Sequence, residues 1–249
     1  MLKIANLSKK FGNKAILENV NLTLEPDNIY GLLGNNGVGK TTIIKIIFNE
    51  INKNNGEIIY NDKNQSNINY KEWFYFTENN ELPKNLLVYE YLEIIKDLSG
   101  LKKQDFLERL TKSEQILDIK FEKNKKIKNL SAGQQKLLTA LSVLILKPKV
   151  VFFDEPTANL DLENKKIIVN LIQVLKSNER IIVITTHLIE EVQNILTNVI
   201  ILNNGEIVYD EPFNAQKENL KKLFEIKVSN TTNQEDIKNL NKVEDYLNE

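Results

Sequence analysis

The segment Gly34-Asn35-Asn36-Gly37-Val38-Gly39-Lys40-Thr41-Thr42 narrows the possible folds of this chain more than any other. It contains the spacing G-x-x-x-x-G-K-[ST], with Gly34, Gly39, Lys40 and Thr41 in the required places. Upstream, residues 29–33 form a short apolar run ending at glycine, the pattern of a buried strand. Downstream, Ile43, Ile44, Ile46 and Ile47 make residues 41–48 apolar around most of a helix, which must then pack on both sides. Strand, glycine-rich loop and helix in this order predict an α/β domain on a mostly parallel sheet.

Glycines at these places let successive backbone N–H groups face inward toward an anion, and the following helix presents its positive end to the same point. Lys40 would then reach the β- and γ-phosphates of a nucleotide, and the Thr41 hydroxyl would bind Mg²⁺. An ordinary Gly/Asn-rich turn accounts for the glycines but not for Lys-Thr directly after the last of them.

Residues 2–25 alternate polar and apolar in two runs about Gly12-Asn13, an antiparallel pair. Residues 56–60 read as a strand and 61–69 as a polar loop. The pattern is helical from 88 to about 117, and again over 137–146, where Lys147-Pro148 ends it. Residues 150–153 and 181–185 are continuous β-rich runs, as in strands covered on both faces. The amphipathic stretch 162–175 between them completes a strand–helix–strand crossover. From 212 onward the chain is charged and Asn-rich. There Thr232-Asn233-Gln234-Glu235 offers a capping box, with Ile237, Leu240, Val243 and Leu247 following at helical spacing. We expect this C-terminal extension, 212–249, to hold a helix docked on the body; a partner-binding role is the alternative. No internal repeat is present, so one unit is expected rather than a tandem pair.

Two further segments follow the loop. Leu130-Ser131-Ala132-Gly133-Gln134 comes first; then the run 150–153 delivers Asp154 and Glu155 to the carboxyl end of its strand, where ligands of parallel sheets bind. The single histidine, His187, ends the next run. Taken alone, the acids could be solvated strand caps and the histidine a structural or solvated residue. In this order, the segments resemble the ATP-binding-cassette (ABC) ATPases over residues 2–211. The resemblance implies a P-loop NTPase core, an N-terminal antiparallel β subdomain and an inserted helical subdomain at about 79–147.

It also implies ATP and Mg²⁺. By resemblance, the whole loop from Gly34 to Thr42 would cradle the phosphates, and Asp154 would hold the Mg²⁺ through water. Glu155 would act as general base, and His187 would contact the γ-phosphate and the attacking water. Glu78 stands where many members carry a glutamine that links Mg²⁺ to the helical subdomain. The tract 130–134 is similar to the ABC signature, with Ala132 where glycine is usual. Ser131, Gly133 and Gln134 would close on the γ-phosphate of another subunit, so that catalysis takes two chains head to tail. As plain structure, Ser131 is an N-cap for the following helix. Phe11 matches an aromatic that stacks on adenine, and is alternatively a core residue of the hairpin. Asp161 matches an aspartate that crosses the dimer seam, and equally suits the N-cap of 162–175.

The family reading implies the ATP-hydrolysing subunit of a transporter, with a second nucleotide-binding subunit and an integral membrane permease as partners. Glu78 and the tract 86–90 resemble export-type cassettes. A soluble ABC ATPase, as in iron–sulfur assembly, is the alternative. A regulator without catalysis is a third, opposed by the joint presence of Lys40, Thr41, Asp154, Glu155 and His187. No stretch approaches the ~18 apolar residues needed to span a bilayer, so attachment to the inner, cytoplasmic face of the membrane would require the permease. No apolar segment follows Met1 that would serve as a secretory signal. The composition is 41% hydrophobic, enough for a core; the net charge of -1 gives no sign of a nucleic-acid partner, and the absence of cysteine excludes disulfides and thiolate metal sites.

Overall fold

Two sheets and the helix between them position everything that follows. The structure, a computed structural model, describes residues 1–79, 81–176 and 179–229. β1 (Leu2–Phe11) and β2 (Lys14–Leu24) form the expected antiparallel pair, turning at Gly12 with φ 56°. With β4 (Asn55–Tyr60) and the short β5 (Lys63–Asn64) they make a four-stranded sheet ordered β2-β1-β4-β5. The stretch 61–69 is therefore not all loop. Asn61 and Asp62 both take positive φ, 45° and 62°, the backbone of a tight hairpin turn, which folds β5 back on β4.

The second sheet has six strands in the order β10-β9-β3-β8-β7-β6. β3 (Asn28–Leu33), β6 (Trp73–Phe76), β7 (Val150–Asp154), β8 (Ile181–Thr186) and β9 (Asn198–Asn203) run parallel; β10 (Glu206–Pro212) closes one edge antiparallel. This is the α/β fold with a mostly parallel sheet that the sequence predicts. Because β3, β8 and β7 are neighbours, the loops leaving their carboxyl ends open side by side.

Alternation along each strand divides the interior in two. Tyr30, Leu32, Val150, Phe152, Ile181 and Val183 face α1 (Lys40–Ile47) and the antiparallel sheet. Their neighbours Ile29, Leu33, Val151, Phe153, Ile182 and Ile184 face the helices on the other side. Full burial of such side chains contributes about 1.5–3 kcal/mol each, which selects continuous apolar runs over alternating ones. α1 lies between the two sheets, with Ile43, Ile44, Ile46 and Ile47 all at most 1% exposed.

On the opposite face lie α2 (Val88–Ser99), α3 (Lys103–Ile116), α4 (Ala132–Leu146) and α5 (Leu162–Leu175). The helical stretch 88–117 is two helices, because Gly100 (φ 65°) terminates α2 in the left-handed region. α4 starts five residues before its apolar run. Ser131 Oγ accepts from the Gln134 amide at 3.1 Å and Gln134 Oε1 accepts from the Ser131 amide at 3.1 Å, a capping box that extends the helix back to the cap. α5 begins after Asp161, whose Oδ1 accepts from the Asn164 amide at 2.9 Å, so the N-cap reading of Asp161 holds. After β10 the chain turns into a helix over 220–229, with Leu220 buried in the core. The capping box at 232–235 and the apolar positions after it lie outside the described residues. Among the described residues, no helix is long and apolar enough to cross a membrane.

Candidate functional site

The loop after β3 is built around its glycines. A Cβ on Gly34 would lie 2.6 Å from the Leu202 carbonyl oxygen, so the chain passes β9 there only without a side chain. Gly37 and Gly39 take φ 77° and 117°, conformations that L-residues rarely adopt. Val38 turns its side chain into the core between the sheets and bonds its amide to the Asn35 carbonyl at 3.3 Å, so it supports the loop from beneath. Lys40 opens α1 and is 7% exposed; its Nζ donates to the carbonyls of Gly34 at 2.7 Å and Asn35 at 3.2 Å. Burial lowers the pKa of this ammonium, and the carboxylates of Glu155, Asp154 and Glu78 act in the opposite sense.

Asp154 ends β7, 3% exposed, and is held by three hydroxyls. Thr41 Oγ1 and the Tyr75 hydroxyl each donate to its Oδ2 at 3.0 Å, and Thr185 Oγ1 donates to Oδ1. Burial first, then the Asp154 charge, pushes the Tyr75 phenol well above its ordinary pKa, so it stays a donor. The carboxylate is thus fixed from β6, β8 and α1 together.

Glu155 follows in the left-handed region, φ 46°, 7% exposed. Its amide is anchored to the Thr185 carbonyl at 3.0 Å. His187 Nδ1, just past β8, lies 2.9 Å from Glu155 Oε1. Glu155 Oε2 is buried and finds no hydrogen-bond partner among the described residues.

Asn36, Gly37, Gly39, Lys40, Thr41, Thr42, Glu78, Asp154, Glu155 and His187 line one cleft of about 310 Å³. Gly34 and Asn35 complete the loop behind it. Four candidates lie elsewhere. Phe11 sits at the end of β1, 52% exposed, with Lys9 Nζ 4.7 Å above its ring; the reading of Phe11 as a core residue of the hairpin is overturned, because about half of the residue stays open to solvent. Ser131, Gly133 and Gln134 open α4 outside the cleft, and the Gln134 side chain is engaged as a cap. Tyr75 and Thr185 were not anticipated: inside the apolar runs of β6 and β8, nothing marks their hydroxyls as turned toward Asp154.

The family model described as "ABC transporter" matches residues 17–158, more than half of the chain. The chain belongs to the ABC transporter family. It is 30% identical to the lantibiotic transport ATP-binding protein SrtF of Streptococcus pyogenes over 224 residues, covering 90% of this chain and 96% of that protein. The methionine import ATP-binding protein MetN of Clostridioides difficile is 27% identical over 236 residues, 90% of this chain and 74% of its own. In fold it matches the dimeric post-hydrolysis cassette MJ0796 bound to ADP and Pi with a TM-score of 0.74 at 22% identity, covering 86% of this chain and 100% of that one. As a member of this family the chain is an ATPase, built on the fold those cassettes share.

The loop of this ABC cassette yields a direct prediction. In Gly39→Ala the residue must keep φ 117° with its methyl 2.8 Å from Leu17 Cδ2 and 3.3 Å from the Ile16 carbonyl oxygen. Strain of this type costs about 1–3 kcal/mol, so ADP affinity measured by calorimetry should fall about 5- to 150-fold. Unchanged affinity would show that the backbone conformation at Gly39 does not hold the nucleotide.

Proposed function

We propose that this ABC cassette binds and hydrolyses Mg-ATP in a head-to-tail pair and thereby energises a transporter, with export as its direction. The observation that carries the reading is the way the expected residues divide. Lys40, Thr41, Asp154, Glu155 and His187 share one cleft, whereas Ser131 stands exposed at the head of α4, outside it. One protomer thus carries a triphosphate cradle and, elsewhere, a second anion-suited helix start free to meet another protomer.

In this reading the phosphates rest on the amides of 34–42, and Lys40 offers its ammonium to the β- and γ-phosphates. Thr41 Oγ1 and Asp154, hard oxygen donors 3.0 Å apart, fit Mg²⁺, which when bound offsets the triphosphate charge. Glu155 Oε2 takes a proton from water as the water oxygen bonds to the γ-phosphorus and the bond to the β-phosphate oxygen breaks, giving ADP and phosphate. His187 holds Oε1 and so aims the other oxygen. Glu78 faces the same cleft, and Phe11 offers an open ring for adenine.

Tyr89, Ile94 and Leu98 of α2 and Leu107 and Ile116 of α3 are large, apolar and exposed, with Ile94 and Leu98 one turn apart. They support α2 and α3 as the face for a membrane permease, which would hold the cassette at the inner, cytoplasmic side of the membrane. Glu78 and the tract 86–90 support export.

Complementation tests the shared site. Ser131→Asp keeps an N-cap but sets a negative charge where the partner's phosphate would arrive. We expect Ser131→Asp and a Lys40-deficient chain each to be inactive alone. Mixed, they should recover about a quarter of wild-type ATPase activity, since half of randomly assorted pairs carry one intact site of two. Activity of Ser131→Asp alone, or no recovery on mixing, would sink the head-to-tail arrangement.

A further inference from the structure

Five residues into the helix that Ser131 caps, on the core side, stands a lysine that no part of the mechanism above uses. Lys136 is 3% exposed. Its Nζ donates to the carbonyls of Glu155 at 2.9 Å, Pro156 at 3.2 Å and Ala158 at 3.0 Å. An ammonium has three protons and no acceptor, so its whole capacity is spent on one short stretch of backbone. Burial lowers its pKa, opposed by the carboxylates of Glu78, Glu155 and Asp154.

That stretch is unusual in its own right. Glu155 is held at φ 46° and Asn159 at φ 61°. A non-glycine residue keeps such a conformation only where its surroundings over-determine it. Thr185 fixes the amide of Glu155 from one side, and Lys136 fixes its carbonyl and the two carbonyls beyond from the other. Lys136 lies about 7.5 Å along the α4 axis from Ser131, in a continuous helix that moves as one piece.

We infer that Lys136 is a positioning residue that ties the helix opened by Ser131 to the turn carrying Glu155. Capture of a neighbouring protomer's nucleotide at the head of α4 is thereby transmitted to the base of the protomer's own site. This rests on the roles proposed above for Ser131 and Glu155. Lys136 does not line the cleft; it acts through the backbone geometry of 155–158.

The test is a kinetic split in the purified chain. Lys136→Met keeps the length of the stem and removes all three donors. ADP affinity and KM for ATP should stay within severalfold of wild type, because the loop 34–42 is untouched. The kcat should fall about 10- to 100-fold, the usual result when a catalytic group shifts by an ångström or so. In a Glu155→Gln background, single-turnover rates should show no further fall on adding Lys136→Met. If Lys136→Met does not fold, Lys136→Gln, whose amide keeps two donors, should show the same split with a smaller fall in kcat. Wild-type kcat in a folded variant, parallel loss of ADP affinity and kcat, a further multiplicative fall beside Glu155→Gln, or failure of both variants to fold would each overturn the inference. The two readings separate cleanly. Full turnover in Glu155→Gln alone defeats the base assignment; an inactive Glu155→Gln beside an unimpaired Lys136→Met defeats only the positioning role.

Discussion

Glu155→Gln should hydrolyse ATP about 10²–10⁴-fold more slowly than wild type while binding Mg-ATP and forming the nucleotide-dependent pair as well or better. The substitution is nearly isosteric, and what keeps residue 155 in place is backbone: its amide on Thr185 and its carbonyl on Lys136. Oε1 of the amide can still accept from His187 at the position that now sits 2.9 Å away. The loss falls on the other atom. Oε2, buried and unpartnered, becomes an NH₂ group with no lone pair for a water proton. Single-turnover hydrolysis set beside calorimetric binding and gel filtration with ATP separates these effects. A rate within severalfold of wild type would show that another group takes the proton, and the free oxygen would lose its meaning.

The loop, the parity of the strands and the all-round apolar α1 were legible because each is a local pattern with one physical solution. Val150, Phe152 and their alternates Val151 and Phe153 read correctly as a strand covered on both faces because both faces are in fact covered. Helix limits were less legible where an apolar run was allowed to stand for the helix. The capping pair Ser131 and Gln134 was present in the sequence, and it sets the start of α4. Gly100 likewise divides the stretch that periodicity joined.

The parts of the site that were not legible are those whose chemistry depends on which way a side chain turns. Tyr75 looks like one more aromatic among Trp73, Phe74 and Phe76, and Thr185 like one more β-branched residue; only the pairing of β6 with β7 and of β7 with β8 brings both hydroxyls onto Asp154. Lys136 falls just before the apolar run 137–146 that the sequence marks as helix, and no pattern singles it out. The fold instead buries its ammonium under three carbonyls. A hairpin core position for Phe11 was open in the sequence, but the ring belongs to the last residue of β1 and is about half exposed.

Lys40→Met should abolish nucleotide binding in the ordinary working range and leave the fold as stable as before or more so. The side chain is buried, and burial is the largest influence on its pKa, which is lowered. For a cation whose folded pKa lies below its unfolded one, the protonated form is disfavoured by folding. Below the folded value that cost is fully present, and the uncharged methionine stem removes it. Two carbonyls, of buried Gly34 and exposed Asn35, lose a donor, a smaller loss set against that relief. Binding moves the other way. Without the ammonium, a triphosphate meets the acidic side chains of Glu78, Asp154 and Glu155 in the cleft with no lysine beside them. Removing one side of a buried, hydrogen-bonded charge pair costs about 2–5 kcal/mol, or roughly 30- to several-thousand-fold in affinity. Thermal melting with and without saturating ADP reads both effects at once. The variant should melt at or above the wild-type temperature without nucleotide and show none of the ligand-induced rise that wild type shows. A variant that melts low would mean that Lys40 holds the loop together; one that keeps its nucleotide shift would mean that the amides of 34–42 bind phosphate without it.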